Sequence, residues 1–388
     1  MTNATLDPTA EISPAALAVC SYRGGAEVVD HLADEWRQLC SEAAEDQPFY
    51  RPEWIRAYLR AFVPRARLLL IAARLGGRLR LLLPLLQESG TFCKMPVRRL
   101  RAPVNFYAGR FDAACSAGPD GEAAILATWR YLRELRGWDV LHLRDALRGS
   151  VVSRLAEAAH ADGLHTAQVA DKPSPYVPVP SDPRLLQQLP VNVRLRRQLR
   201  RIRRQLAEQG SSLKFHRIET ADQNALARFF ELEASGWKGQ NQSSILANGT
   251  KPFFEEIADS AVRFGYFVLY MLELDGKLIA AHYGFTLRDC YYSAIVAYDE
   301  GFKQFSPGHL IIEEIVRDCA AHGIARYDTT GQNQEWKMRW TAETRPLSHH
   351  FVFRGPLGTL AYTVGSRFNP AMNRRFTERP NPVVSQTE

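Results

Sequence analysis

Residues 298–316 read YDEGFKQFSPGHLIIEEIV, a polar turn running into an apolar helix with no acidic residue in its first turn. Helices usually place Asp or Glu there to offset the positive end of the dipole. Ser306 sits at the cap position, Pro307 fits the first helical position, and Gly308 leaves the next backbone N–H groups, at His309 and Leu310, without side-chain cover. Such a helix start is suited to an anion supplied from outside the helix.

Several residues in this half of the chain have the chemistry to move a proton near that anion. Asp299 and Glu300 immediately precede the turn, and they serve equally well as ordinary turn residues. His282 lies in the apolar run AAHYGF, where a strand aims it at a sheet face, as it would a satisfied core histidine. Asp328 opens the run Asp-Thr-Thr-Gly, which is also good turn chemistry. Glu233 is a fifth candidate of this kind, and Lys337, within QEWKMRW, presents a cation. The run Trp237-Lys238-Gly239 ends a helical pattern. A left-handed glycine cap explains it, and so does an acceptor cleft in which Trp237 is a platform for a sugar ring and Lys238 a polar contact. Covalent catalysis has no sequence support. Cys290 and Cys319 sit in apolar patterns typical of core cysteines, and there is neither a G-x-S-x-G elbow nor an H-E-x-x-H motif. His349 and His350 are neighbours on an expected strand, so they face opposite ways and make a poor metal pair; no metal is indicated.

The elements that must carry these residues recur in two halves. LLLIAARLGGRLRLLLPL (68–85) is two apolar runs about Gly76-Gly77, and FVLYMLELDGKLIAAHYGF (267–285) is the same about Asp275-Gly276. Both are hairpin signals, because the primed turns need positive φ at low cost. A helix and a strand follow each hairpin: EAAILATWRYLRELRG and WDVLHLRD in the first half, and PGHLIIEEIVRDCAAHG and IARYDTTG in the second, after a further strand CYYSAIVAY. A tryptophan-bearing helical region precedes each hairpin, near Trp36 and Trp54 and near Trp237. The plan is an α+β fold of duplicated units with mixed sheets flanked by helices. The stretch 171–190 holds six prolines and marks the boundary, giving domains over 20–180 and 181–360 and a C-terminal helix or tail over 361–388.

Composition bounds the class. At 388 residues, 46% hydrophobic and 23% charged, the chain is an ordinary globular protein long enough for two domains. The leucine-rich stretch 79–86 is short and interrupted by Arg80 and Pro84, so no transmembrane segment is expected. The N-terminus has no basic region followed by an apolar core, and the six cysteines show no C-x-x-C. A cytoplasmic protein with reduced thiols is the expectation. The net charge of +7 is concentrated in RLRRQLRRIRR (194–204), which carries seven arginines. Leu195, Leu199, Ile202 and Leu206 recur at helical spacing, so this is an amphipathic helix with an arginine back. It reads as a solvated connecting helix, or as a surface for a polyanion such as RNA or anionic lipid.

The order of these elements, with the Ser306-Pro307-Gly308 turn, resembles the GNAT acyltransferases. More narrowly, the chain resembles the cellulose-biosynthesis acetyltransferase family, relatives of the Fem peptidyltransferases built from two GNAT-like halves. The resemblance covers residues 20–360. It is carried by the arginine-rich segment 194–204, Glu233 with Trp237-Lys238-Gly239, Asp275-Gly276, Tyr291-Tyr292, Asp299-Glu300, Ser306-Pro307-Gly308, and Asp328–Gly331 followed by Lys337. It implies two tandem GNAT-like units. It also implies that Ser306, Pro307, Gly308, His309 and Leu310 cradle the pyrophosphate of acetyl-CoA as co-substrate, with Asp328 where the sheet opens around the acyl group. The usual family loop holds more glycine than this one, in which only Gly308 is present.

Direct acyl transfer from a thioester needs a held donor, a proton acceptor and help for the developing oxyanion. Asp299, His282, Asp328 and Lys337 are the candidate catalytic residues; Glu233, Trp237 and Lys238 are candidates for the acceptor. The corresponding first-half helix begins GPDGEAAIL, and Asp120 and Glu122 there would repel a phosphate, so the second half is expected to be the working one. The expected activity is acetyl transfer to an amine or hydroxyl of a cell-envelope or exopolysaccharide precursor. A Fem-like aminoacyl-tRNA-dependent ligase and a non-catalytic accessory protein associated with a polysaccharide synthase are the alternatives.

Overall fold

The computed structural model describes residues 17–236 and 244–368. Fifteen strands among them form two mixed sheets. The first contains β1 (Leu17–Gly24), β2 (Arg67–Leu75), β3 (Arg78–Phe92), β4 (Met95–Arg101), β5 (Ala114–Cys115), β6 (Val140–Leu147) and β7 (His165–Ala170). The second contains β8 (Ser174–Pro178), β9 (Leu213–Ile218), β10 (Phe267–Leu274), β11 (Lys277–Leu287), β12 (Cys290–Tyr298), β13 (Arg326–Asp328) and β14 (Thr344–Arg345). The last strand, β15 (Leu347–Phe353), returns to the first sheet. The orders are β1-β2-β3-β4-β6-β15-β7, with β5 on β3, and β14-β8-β13-β12-β11-β10-β9. Each sheet has a parallel pair at its middle, β4–β6 in one and β12–β13 in the other.

Both expected hairpins form. Gly76 and Gly77 take φ of 57° and 78°, and Asp275 and Gly276 take 50° and 81°, the left-handed pair that a two-residue primed turn requires. Asp tolerates that region better than most side chains, and its carboxylate here accepts from the Ser212 N–H at 2.7 Å. The proline-rich stretch is not all linker. Ser174–Pro178 is β8, which lies between β13 and β14 of the second sheet, while β15 lies between β6 and β7 of the first. The chain thus exchanges one strand in each direction between the sheets.

Packing follows the strand alternation. One face of the second sheet is covered by the arginine helix Val193–Glu208 and the central helix Pro307–Ala321, with Leu195, Leu199, Ile202 and Leu206 buried against Leu310, Ile311 and Ile315. The other face packs on helices Gln223–Ser235 and Lys251–Arg263, in a core continuous with the first-half helices Ala26–Glu42 and Pro52–Phe62. Trp54 stands at that junction, edge-on to Phe49 at 5.0 Å and to Phe253 at 5.1 Å. No helix among the described residues is long and apolar enough to cross a membrane. All six cysteines are free thiols; Cys20 and Cys93 are exposed and the other four are buried.

Candidate active site

The central helix starts without a side-chain cap, but the N–H groups that follow Gly308 are not left bare: the helix's own first carbonyl takes them. Ser306 is left-handed (φ 51°), and no side chain caps the helix. The His309 and Leu310 N–H groups both donate to the Ser306 carbonyl, at 2.9 and 3.0 Å, while Gly308 has neither a helical carbonyl behind it nor a cap. The Ser306 hydroxyl, the natural cap, is instead taken by Gln198 of the arginine helix, whose Nε2 donates to it at 2.7 Å. His309 accepts from the Trp340 indole at 3.0 Å; burial, reinforced by Arg339, pulls its pKa down to about 4, so it is neutral at pH 7. Leu310 is fully buried.

Beside this helix start the sheet opens. β12 and β13 pair only from Cys290–Tyr292 to Arg326–Asp328, although β12 runs on to Tyr298. The register of β12 on β11 moves from Gly284↔Ser293 to Tyr283↔Ile295, leaving Ala294 as an extra residue, a bulge at the point where β12 parts from β13. Asp328 and the turn after it stand at the apex of this opening. Its buried Oδ1 accepts from the Thr330 N–H at 2.9 Å, and the Thr330 hydroxyl donates to the Ser293 carbonyl of β12 at 2.6 Å. Lys337 closes the turn from behind, donating to the carbonyls of Thr330 and Gln332 at 2.6 and 3.0 Å. Burial lowers the Lys337 pKa to about 8, with Arg110 pushing the same way and Asp328 opposing. His282 is buried on the neighbouring strand, its Nδ1 3.3 Å from the Ser293 hydroxyl.

The remaining candidates are dispersed. Asp299 is paired with Lys277 at 2.9 Å and accepts from the Gly301 N–H; Lys277 lowers its pKa. It caps the short turn Glu300–Phe305 that leads to the central helix. Glu233 is buried and accepts from the Ile245 N–H at 2.8 Å. Trp237 and Lys238 lie outside the described residues. Asp328, Lys337 and His282 therefore gather around the Ser293–Thr330 contact, and the Ser306–Leu310 helix start lies apart from them on the central helix.

In the first half the corresponding helix start is closed. Asp120 is paired with Arg80 at 3.0 Å, and Glu122 with Arg154. Gly121 packs so tightly on the Ser116 carbonyl that a Cβ there would collide with it.

Two residues at the apex are absent from the sequence reading. Arg110, from the first-half loop 102–113, reaches Asp328 Oδ1 at 2.6 Å and the Ser174 hydroxyl at 3.2 Å. Glu45 binds Arg326 at 2.8 Å and Arg345 at 2.6 Å, both from the second half. The local signal was Arg110 within the largely apolar run NFYAGRFDAAC, because charges seldom lie among core residues unless paired. One group of three among the described residues has ligand atoms close enough for a metal ion: Asp145, Asp171 and His349. His349 Nδ1 accepts from the Asp145 N–H at 3.4 Å, and Asp171 accepts from Gln332 at 2.7 Å, so the group is already cross-bonded through the protein.

Residues 193–338 match the family described as the acetyltransferase (GNAT) domain. No curated protein sequence matches the chain. Among solved structures the chain is similar to FemX (TM-score 0.57, 12% identity, 86% of this chain and 98% of that one). It is also similar to the C-terminal domain of an Agrobacterium fabrum protein assigned as a lysylphosphatidylglycerol synthetase (TM-score 0.51, 10% identity, 87% and 96%). A tandem GNAT protein from the clavulanic acid biosynthesis pathway is a third (TM-score 0.46, 16% identity, 87% and 99%). At these identities the likeness is one of fold. The chain is an α+β protein of two GNAT-like units, and its second half carries the acetyltransferase-type domain.

Proposed function

We propose that the chain transfers an acyl group, acetyl in the simplest case, from acyl-CoA to an amine or hydroxyl. The uncapped start of the central helix beside the opening of β12 from β13, within the segment that matches an acetyltransferase domain, is the observation that carries this reading. The Gly308 N–H, which has no helical carbonyl behind it, and the positive end of the helix dipole suit a pyrophosphate. The β12 edge beyond Tyr292 suits an extended, amide-bearing chain, which would bring a thioester to the Ser293–Thr330 apex. There Lys337, a buried cation with two of its three donors taken by carbonyls, would stabilise the charge that develops on the thioester oxygen. Asp328 holds the turn, and His282 is the group we assign to proton exchange through Ser293. Asp299, committed to Lys277 and to its own turn, supports the approach to the helix.

We assign the acceptor, following the resemblance, to a cell-envelope or exopolysaccharide precursor in the cytoplasm, with Glu233, Trp237 and Lys238 on its side. Calorimetric titration with acetyl-CoA tests the donor: binding at one per chain is expected, and absence of binding sinks the reading. The fold shared with FemX, together with five exposed arginines on the helix whose Gln198 reaches Ser306, favours aminoacyl-tRNA as the second reading. Salt-dependent binding of aminoacyl-tRNA with no response to acetyl-CoA would select it. Binding neither while co-purifying with a polysaccharide synthase would select an accessory role.

A further inference from the structure

The turn that closes the apex is strained. Thr330 (φ 50°) and Gly331 (φ 54°) are both left-handed, and for a β-branched residue this is an outlier that persists only where the surroundings over-determine it. Asp328, Lys337 and the Thr330 hydroxyl supply three of those constraints from within the second half. A fourth comes from the first half. Gly109 lies against the turn so closely that a Cβ would stand 2.8 Å from the Gly331 nitrogen, and the next residue, Arg110, grips Asp328. Arg110 is 1% exposed, and its Nε and Nη1 have no partner among the described residues, so its position follows from the single contact edge at Nη2 toward Asp328 and Ser174. A guanidinium buried with most of its donors unused does little for stability by itself, since desolvation offsets the pairing. Its placement calls for another account.

We infer that Arg110 is a positioning residue for acyl transfer: supplied by the first half, it holds Asp328 and thereby fixes the Thr330–Gly331 turn and the Lys337 ammonium at the apex. This rests on the apex being the transfer site proposed above. It gives the first half a part in a reaction whose donor site it does not form. The titratable and charged groups around Asp328, Arg110 and Lys337 include Glu45, Cys290, Tyr292, Arg326 and Tyr327, with His282 reached through Ser293 and Asp171 bonded to Gln332.

The test uses the full chain and two readouts. Lys337 is followed by NMR of its ammonium, assigned by its loss in Lys337→Met. Acetyl transfer is followed as CoA release from acetyl-CoA, with glucosamine as probe acceptor. In Arg110→Met the Lys337 midpoint, about 8 in the unmodified protein, should rise by about one unit, because a repelling cation is gone while Asp328 remains. Transfer at saturating acetyl-CoA should fall at least ~10-fold with the KM for acetyl-CoA nearly unchanged. Arg110→Lys should recover part of the rate. If Arg110→Met does not fold, Arg110→Met/Asp328→Asn removes both buried charges together and should fold, bind acetyl-CoA normally and remain slow. An unmoved Lys337 midpoint in Arg110→Met, or a double variant as fast as the unmodified protein, would overturn the inference. Failure of the unmodified chain to bind acetyl-CoA overturns the donor reading instead, and the Lys337 titration then decides the role of Arg110 alone.

Discussion

A carboxylate introduced at residue 308 would have opposite effects on folding and on binding. A Cβ there meets nothing closer than the Tyr298 ring at 3.5 Å, an ordinary contact, and an acid in the first turn stabilises a helix by about 0.5 kcal/mol. The same charge would occupy the position of a bound pyrophosphate. Gly308→Asp is therefore expected to melt no lower than the unmodified protein while losing at least ~10-fold in acetyl-CoA affinity, about 1.4 kcal/mol. Paired calorimetric and thermal measurements check it, and an unchanged affinity in a folded variant would remove the helix start from the donor site. The residue scale also shows why Asp299 is a weaker candidate than its sequence position suggests. Its closeness to the turn was legible, but its pairing with Lys277, 22 residues earlier in the chain, was not.

At the scale of elements, the arginine helix divides into two sets that sequence periodicity cannot separate. Arg194, Arg197, Arg200, Arg201 and Arg204 are exposed. Arg203 lies toward the central helix, bonded to Glu313 at 2.7 Å and to Glu314, and Arg196 donates to the Leu189 carbonyl at 2.5 Å. Changing Arg197, Arg200, Arg201 and Arg204 to Gln should leave stability within about 0.5 kcal/mol, because exposed charges contribute little. Binding to a polyanion probe such as heparin should weaken and become less steeply salt-dependent. Arg203→Gln should instead lower stability by about 1 kcal/mol and leave heparin binding nearly unchanged, since it loosens the contact between the arginine and central helices. The opposite pattern would make the exposed row structural and Arg203 a surface group. Thermal melts and a salt series on heparin distinguish the two.

For the whole molecule, the exchange of β8 and β15 means that neither sheet is complete within one half of the chain. Residues 181–388 expressed alone lack β8, the strand between β13 and β14, and should not give a cooperative thermal transition; co-expression with residues 1–180 should restore one. A well-folded 181–388 fragment would show that the exchange is dispensable. Ion pairs across the junction add a pH dependence. Burial pushes the Glu45 carboxyl up, but Arg345, Arg110 and Arg326 together overcome it and bring its pKa from 4.5 down to about 2. A carboxyl depressed in the folded state contributes stability that is present above about pH 4.5 and lost as pH falls toward 2. At about 1.4 kcal/mol per unit this amounts to roughly 3 kcal/mol. Glu45→Gln should therefore be less stable than the unmodified protein at pH 7 and lose less stability between pH 4.5 and 2. Urea melts over that range measure both.

What could be read without the structure was local. The turns at Gly76-Gly77 and Asp275-Gly276, the acid-free start at Ser306-Pro307-Gly308, the Leu195–Leu206 stripe and the acids at Asp120 and Glu122 each depend on residues within one or two turns of chain, where backbone sterics and periodicity decide. The neighbours of Asp328 were settled by folding instead. Arg110 is 218 positions away, and Glu45 meets Arg345 across 300. β8 lies in a stretch whose prolines suit a linker and an edge strand equally well until a partner strand is named. Burial makes these distant contacts possible, because a charge taken out of water must find an opposite charge wherever the chain brings one. Which one it finds depends on how the two sheets pack together, and no run of adjacent residues records that.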